Sequence, residues 1–72
     1  MRSETTEIVL AFIEQYIAKE GIAPSQREIA EVCYLAPSAV LRHLDRLEVW
    51  GWIIRHPNKA RSIRIPRIPD PD

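Results

Sequence analysis

Residues 25–47 read SQREIAEVCYLAPSAVLRHLDRL, and this stretch predicts two short helices joined by a tight turn. Ser25 precedes Glu28 by three residues, which is the spacing of a capping box, where each side chain accepts a hydrogen bond from the backbone N–H of the other residue. Pro37 indicates the start of the second helix, because the first helical position has no partner for an N–H and tolerates a residue without one. Ala36 is restricted to extended backbone by the proline that follows it, as a residue at a helix N-cap is. The stretch is therefore predicted to be a helix-turn-helix.

The apolar residues of this stretch recur at the spacings of helix faces. Ile29 and Cys33 lie one turn apart in the first helix, and the second helix has an apolar stripe formed by Val40, Leu44 and Leu47. Ala30 provides the small side chain that a close helix crossing needs. The opposite face of the second helix, which in this motif enters the major groove of DNA, carries Ser38, Ala39, Leu41, Arg42 and Asp45. Two capped helices also occur in many small helical domains, so a purely structural interpretation stays open.

A further helix is predicted before the motif, and its apolar residues are Val9, Phe12, Ile13, Tyr16 and Ile17. Ser3 is its predicted N-cap, and Gly21 ends it. Tyr16 could be a stacking platform for a base, but its position in the apolar stripe favours the core. The helix is predicted to cover the two helices that follow.

A β-hairpin is predicted after the third helix, which continues through Trp50 and ends at Gly51. Residues 52–56 and 61–65 are rich in β-branched and aromatic side chains, and the turn-forming residues 57–60 separate them. The three prolines of residues 66–72 remove hydrogen-bond donors and predict a tail or linker. The chain is thus predicted to be mostly α with a small β-hairpin, a three-helix winged helix-turn-helix over residues 1–65 with a Pro-rich tail over 66–72.

The predicted hairpin is basic. Asn58 stands at its turn, with Lys59, Arg61 and Arg64 close by, and such side chains neutralise backbone phosphates beside a helix that enters the groove. Taken singly, each charge could equally be one that discourages edge-to-edge sheet aggregation. The helix-turn-helix upstream favours the phosphate interpretation.

The length and charge of the chain constrain its function less than these motifs do. The chain has 72 residues, enough for one small domain, and its net charge is zero. The charge is unevenly distributed, because residues 1–35 contain three basic and six acidic side chains whereas residues 36–72 contain seven and four. This polarity allows one face to meet phosphates, although a mixed-charge surface is also usual for a soluble domain.

Several classes of function are not expected. Cys33 is the single cysteine, and with His43 and His56 alone it gives no ligand set at metal spacing. No nucleophile is paired with a base, so an enzyme is not expected, and His43 is interpreted as a packing or phosphate contact. No cofactor, small-molecule ligand, membrane span or signal peptide is indicated, which predicts a soluble cytoplasmic protein.

These motifs together resemble the amino-terminal DNA-binding domain of the LexA repressor family. The resemblance covers residues 8–65 and rests on residues 21–30 (GIAPSQREIA), residues 37–44 (PSAVLRHL) and residues 61–65 (RSIRI). It implies a bacterial or phage transcriptional repressor that acts at the nucleoid and binds a palindromic operator in double-stranded DNA as a homodimer. The self-cleaving peptidase domain of that family has no counterpart here, so the sequence is expected to be either a fragment of a longer repressor or a stand-alone regulator.

The resemblance also implies which residues contact DNA. The base-reading positions correspond to Ala36, Ser38, Ala39, Leu41 and Arg42, and contacts to the DNA backbone are expected from Ser25, Gln26, Arg27, Arg46, Asn58, Lys59 and Arg61. Apolar residues at three of the base-reading positions differ from the polar ones of the family, so its operator sequence is not carried over. The turn is also one residue shorter, and Tyr34 stands where a turn glycine is common, which predicts either a strained backbone or a turn of a different type.

Val32, Val49 and Trp50 occupy positions that the family fills with polar residues, and we refer to them as the apolar patch. An exposed apolar patch usually indicates a partner, here a second copy of the chain, unless the tail around Ile68 covers it. The patch and the zero net charge also fit a different function, a protein-interaction module on a winged-helix scaffold that does not bind DNA.

Overall fold

The computed structural model of the chain describes residues 4–56 and 61–66. Three helices form the body: α1 at Glu4–Glu20, α2 at Gln26–Cys33 and α3 at Pro37–Val49. After α3, the chain forms two segments that we call the limbs, residues 52–56 and 61–66, joined by an antiparallel bridge between Ile54 and Arg64. The three predicted helices are confirmed, whereas the predicted hairpin amounts to this bridge within the described residues. Its turn, including Asn58 and Lys59, lies outside them, as does the predicted tail beyond Pro66.

Helix α1 has Glu4 and Glu7 in its first turn, where negative charge stabilises the positive end of the helix dipole. The predicted cap, Ser3, lies outside the described residues. The helix ends where Gly21 adopts a φ of 77° and donates its N–H to the Ile17 carbonyl at 2.9 Å. Of the predicted stripe, Val9 and Ile13 are fully buried. The others, Phe12, Tyr16 and Ile17, are half-buried, and the buried Leu10 and Thr6 were not predicted.

Helix α2 begins with the predicted capping box. The Glu28 N–H donates to the Ser25 hydroxyl at 3.1 Å, and the Ser25 N–H donates to Glu28 Oε1 at 2.8 Å. The helix ends at Cys33, and the next residue, Tyr34, adopts the left-handed conformation with a φ of 56° and a ψ of 48°. Of the two alternatives predicted for this position, the structure shows the strained backbone, because a side chain with a Cβ atom is disfavoured there.

Helix α3 begins at Pro37 after Ala36, whose extended backbone (φ −67°, ψ 150°) makes it the N-cap, as predicted. Its stripe is confirmed, since Val40, Leu44 and Leu47 are fully buried. The helix ends at Val49, one residue before the predicted end, and Gly51 then reverses the chain with a φ of 78°. Burial of the stripe fixes which face of α3 stays outside.

The limbs complete the core. Ile53, Ile63 and Ile65 are buried and pack in the same cluster as Ile29 and the α3 stripe. The bridged residues Ile54 and Arg64 point outward and exchange two backbone hydrogen bonds of 2.8 Å. Burial of each apolar side chain stabilises the fold by roughly 1.5 to 3 kcal/mol, so these three isoleucines help to hold the limbs to the helices.

Candidate nucleic-acid interface

The outer face of α3 is accessible. Ser38 and Arg42 are exposed, and Leu41 is 43% exposed although it is apolar. Ala36, just before the helix, is exposed, whereas Ala39 is half-buried. Four of the five residues predicted to read bases therefore lie open to a partner, and Ala39 presents a smaller surface than predicted.

Farther along the same helix, the exposed acidic residues are paired. Asp45 and Glu48 both accept hydrogen bonds from Arg55, a residue of the first limb. The Arg55 Nε lies 3.1 Å from Glu48 Oε1, its Nη2 lies 3.1 Å from the same oxygen, and Nη2 also bonds Asp45 Oδ1. The Arg55 side chain is only 16% exposed, so it lies along the surface of α3. Sequence reasoning did not single out Arg55.

The start of α2 offers a second polar surface. Gln26 and Arg27 are exposed, and Arg27 forms a loose ion pair with Glu31 one turn later at 3.6 Å. Ser25 is half-buried, and both its hydroxyl and its N–H are engaged in the capping box. Arg46 is exposed on α3. These positions leave the predicted contacts of Gln26, Arg27 and Arg46 with the DNA backbone sterically open.

Arg61 was predicted to bind phosphate, and the structure shows that its guanidinium already has partners within the chain. Its Nη1 lies 2.8 Å from Glu28 Oε1 and donates hydrogen bonds of 3.3 Å to the Tyr16 hydroxyl and the Ala23 carbonyl. Its backbone is left-handed, with a φ of 55°. Arg61 therefore ties the second limb to the junction of α1 and α2, and its phosphate contact stays a prediction.

Glu28 is the centre of this tie. Besides the cap and Arg61, it accepts a hydrogen bond of 3.0 Å from the Tyr16 hydroxyl. The Ser25 backbone N–H is the main cause that lowers the pKa of Glu28 to about 2, with further contributions from Tyr16, the Ser25 hydroxyl and Arg61 that outweigh partial desolvation. The carboxylate is thus ionised under all ordinary conditions. Sequence reasoning placed Tyr16 in the core and missed that its hydroxyl reaches Glu28.

His43 lies on α3 beside the outer face but is turned toward α1. Its Nδ1 lies 2.8 Å from the hydroxyl of Thr6, a fully buried residue. Burial, followed by the positive charges of Arg46 and Arg42, lowers the pKa of His43. The neutral form is therefore favoured, which fits packing, one of the two roles predicted for this residue.

The three residues of the apolar patch are all exposed: Val32 by 54%, Val49 by 84% and Trp50 by 37%. The residue proposed to cover them, Ile68, lies outside the described part of the chain. Within residues 4–56 and 61–66 the patch stays exposed, so it is accessible to a partner.

The described residues contain no group of three or more histidine, cysteine, aspartate or glutamate side chains that could hold a metal ion. No described helix is long and apolar enough to cross a membrane.

Comparisons with known proteins agree with this geometry. A family model described as the LexA DNA binding domain matches residues 3–62. The chain is 43% identical over 65 residues to the LexA repressor of Thermotoga maritima, covering 90% of this chain and 33% of that protein. It is 44% identical over 64 residues to the LexA repressor of Shouchella clausii, and 38% identical over 71 residues to that of Xylella fastidiosa. The match to the Shouchella clausii protein covers 88% of this chain and 31% of that protein. The match to the Xylella fastidiosa protein covers 97% of this chain and 34% of that protein.

The chain therefore spans about a third of the length of these curated relatives. The family model, by contrast, matches most of the chain, including α1, α2, α3 and the first limb. The chain belongs to the LexA DNA-binding domain family.

Proposed function

We propose that the chain is the DNA-binding part of a transcriptional repressor and binds double-stranded DNA sequence-specifically, with α3 in the major groove. The observation that carries the proposal is the outer face of α3, exposed beside a helix-turn-helix whose stripe is fully buried. In this motif the amino-terminal residues of the second helix contact base edges. The bacterial relatives are named repressors, which supports a role in the cytoplasm at the nucleoid.

Within this proposal, Arg42 supplies direct readout. A guanidinium can bind guanine O6 and N7 at once, which contributes about 1–3 kcal/mol of discrimination. Ser38 can bond either a base or a phosphate, while Leu41, Ala36 and Ala39 are suited to apolar contact with a thymine methyl group. The five residues predicted to read bases are therefore more apolar than polar.

Contacts to phosphates would set the register of the chain on the duplex. Gln26, Arg27 and Arg46 are exposed for this role, and the limbs would act as a wing, a small β-hairpin completed by Asn58 and Lys59. Arg61 could reach a phosphate only by loosening its bonds to Glu28 and Tyr16. We therefore propose that Asn58 and Lys59, rather than Arg61, make the main phosphate contacts of the wing.

We further propose that the apolar patch, Val32, Val49 and Trp50, forms a homodimer interface. A palindromic site is read by two copies related by a two-fold axis, and dimeric helix-turn-helix proteins place their readers one helical turn apart. Trp50→Glu is expected to lower the sedimentation mass of the chain at micromolar concentration. An unchanged mass would count against dimerisation through this patch.

A second function, a protein-interaction module without DNA binding, is favoured by the same exposed patch and by the zero net charge. The two functions differ in their response to salt, because binding to phosphates releases counterions and weakens steeply as salt rises. Titration of a random-sequence duplex at several salt concentrations separates them. A steep slope supports DNA binding, and no measurable binding supports the interaction module.

The sharpest test is selection of bound sequences from a random duplex library. We expect an enriched, palindromic site whose half-sites are spaced by about one helical turn. Arg42→Ala should then relax the preference at one base pair, whereas Arg27→Ala should weaken binding similarly for all sequences. Recovery of unenriched sequences would refute the proposal.

A further inference from the structure

We propose that Arg55 is a positioning residue for DNA binding, which acts by neutralising the carboxylates of Asp45 and Glu48 on α3 without itself touching DNA. The inference rests on the proposed function, since it requires α3 to face a phosphate backbone. Arg55 lies in the first limb, outside the helix-turn-helix.

The placement of Asp45 creates the need for such a residue. Asp45 lies seven residues after Ser38, close to two turns at about 3.6 residues per turn, and three after Arg42. It therefore shares the outer face with both, and its side chain is 67% exposed. A carboxylate on the face that meets DNA repels phosphates, and Glu48, 43% exposed, lies one turn farther along.

The charges of α3 cancel. Between Pro37 and Val49 the helix carries Arg42 and Arg46 against Asp45 and Glu48, while His43 favours its neutral form. The helix alone thus presents no net positive charge to DNA. Arg55 belongs to the first limb, and its guanidinium adds one positive charge to this surface, so the net charge of the surface becomes positive.

The contacts show that Arg55 is committed to this task. Its Nη2 and Nε bond both carboxylates, and 84% of its side-chain surface is covered, because only 16% is exposed. Asp45 stays 67% exposed and Glu48 43% exposed while both are bonded to Arg55, so the cation can neutralise Asp45 while the outer face of α3 stays accessible. Surface charges act over about 8 Å at physiological ionic strength, which is enough to reach phosphates next to α3.

The test measures binding of the chain to a fluorescent random-sequence duplex and to its selected site, over a range of salt concentrations. Arg55→Gln should bind about three- to tenfold more weakly than the unaltered chain at low salt. The difference should shrink as salt rises, because screening removes an electrostatic effect but not a defect of folding. Arg55→Lys, which keeps the charge, should retain most of the affinity.

Two further variants decide the cause. The triple variant Arg55→Gln with Asp45→Asn and Glu48→Gln should recover the affinity of the unaltered chain, because the repelling carboxylates are gone. Asp45→Asn with Glu48→Gln alone should bind more tightly than the unaltered chain at low salt. Lys19→Gln, which removes one exposed positive charge from α1, is the control for net charge and should have a smaller effect than Arg55→Gln.

The inference is overturned if Arg55→Gln binds like Lys19→Gln, or if the triple variant stays as weak as Arg55→Gln, which would mean that Arg55 holds the limb in place and no more. Thermal melts establish that each variant folds. If Arg55→Gln does not fold, the double variant decides, and binding no tighter than that of the unaltered chain contradicts the inference. If the unaltered chain shows no salt-dependent binding, the proposed function and this inference fail together.

Discussion

The helical body and the two limbs are held together by different forces. The helices meet through fully buried side chains such as Ile13, Ile29 and Leu44, with Thr6 as the one polar group in the buried set of described residues. The limbs share one backbone bridge, contribute three isoleucines to the core and depend on two arginine ties, Arg55 to α3 and Arg61 to Glu28. The body is thus stabilised by apolar packing, whereas the arrangement of the limbs also depends on charge.

The largest expected effect lies in the body. Leu44→Ala removes a fully buried side chain at the centre of α3 and should lower the free energy of unfolding by about 2–5 kcal/mol, measured by denaturant or thermal unfolding. Leu41→Ala, one turn earlier on the outer face, is the matched control and should cost less than about 1 kcal/mol. Equal losses for the two variants would contradict the buried stripe.

The ion pair between Arg61 of the second limb and Glu28 should weaken in acid. The pKa of Glu28 is lowered from 4.5 to about 2 in the folded chain, so its contribution to stability is complete above 4.5 and is lost as pH falls toward 2. Glu28→Gln should therefore be less stable than the unaltered chain at neutral pH, and the two should converge in acid. Unfolding experiments across this range measure the convergence.

Glu31→Gln, on the same helix, is the control for this pH effect. Its carboxylate is 71% exposed and pairs only loosely with Arg27, so we expect little change at any pH. A constant difference between Glu28→Gln and the unaltered chain down to acid pH would show that the carboxylate is not what the limb depends on.

The smallest expected effect is a gain. Tyr34 is 94% exposed and held in the left-handed conformation, so Tyr34→Gly removes strain without losing packing. The melting temperature should rise, with a gain in stability of about 1 kcal/mol. Tyr34→Ala removes the ring but keeps the Cβ atom and should give no gain. A gain from alanine equal to that from glycine would assign the cost to the exposed ring rather than to the backbone.

Much of the body could be predicted from sequence because its signals are local. The Ser25 and Glu28 spacing, Pro37 after Ala36, and the stripe of Val40, Leu44 and Leu47 each follow from the geometry of a single helix. Even the unusual backbone of Tyr34 was indicated, since a turn that favours glycine was occupied by a larger residue. These elements fix the outer face of α3, which is the core of the candidate site.

The ties of the limbs could not be predicted in the same way. Glu28 is 12 residues from Tyr16 and 33 residues from Arg61 in sequence, and no periodicity relates the three. In the sequence, Arg55 is not distinguishable from any other charged residue of an edge strand. Its role depends on its contacts with the end of α3, which only the fold brings close to it. Leu10 was missed because the stripe of α1 is wider than its most regular spacings suggest. Long-range polar contacts therefore account for most of what the structure adds.

Cys33 is a natural probe of the end of α2. It is half-buried at the end of α2, packed against the core, and burial raises the pKa of its thiol, so the reactive thiolate is scarce at neutral pH. Because it is the single cysteine of the chain, the rate of its alkylation would report how often the end of α2 becomes fully accessible. That rate would follow the helix-turn-helix separately from the limbs, without any engineered probe.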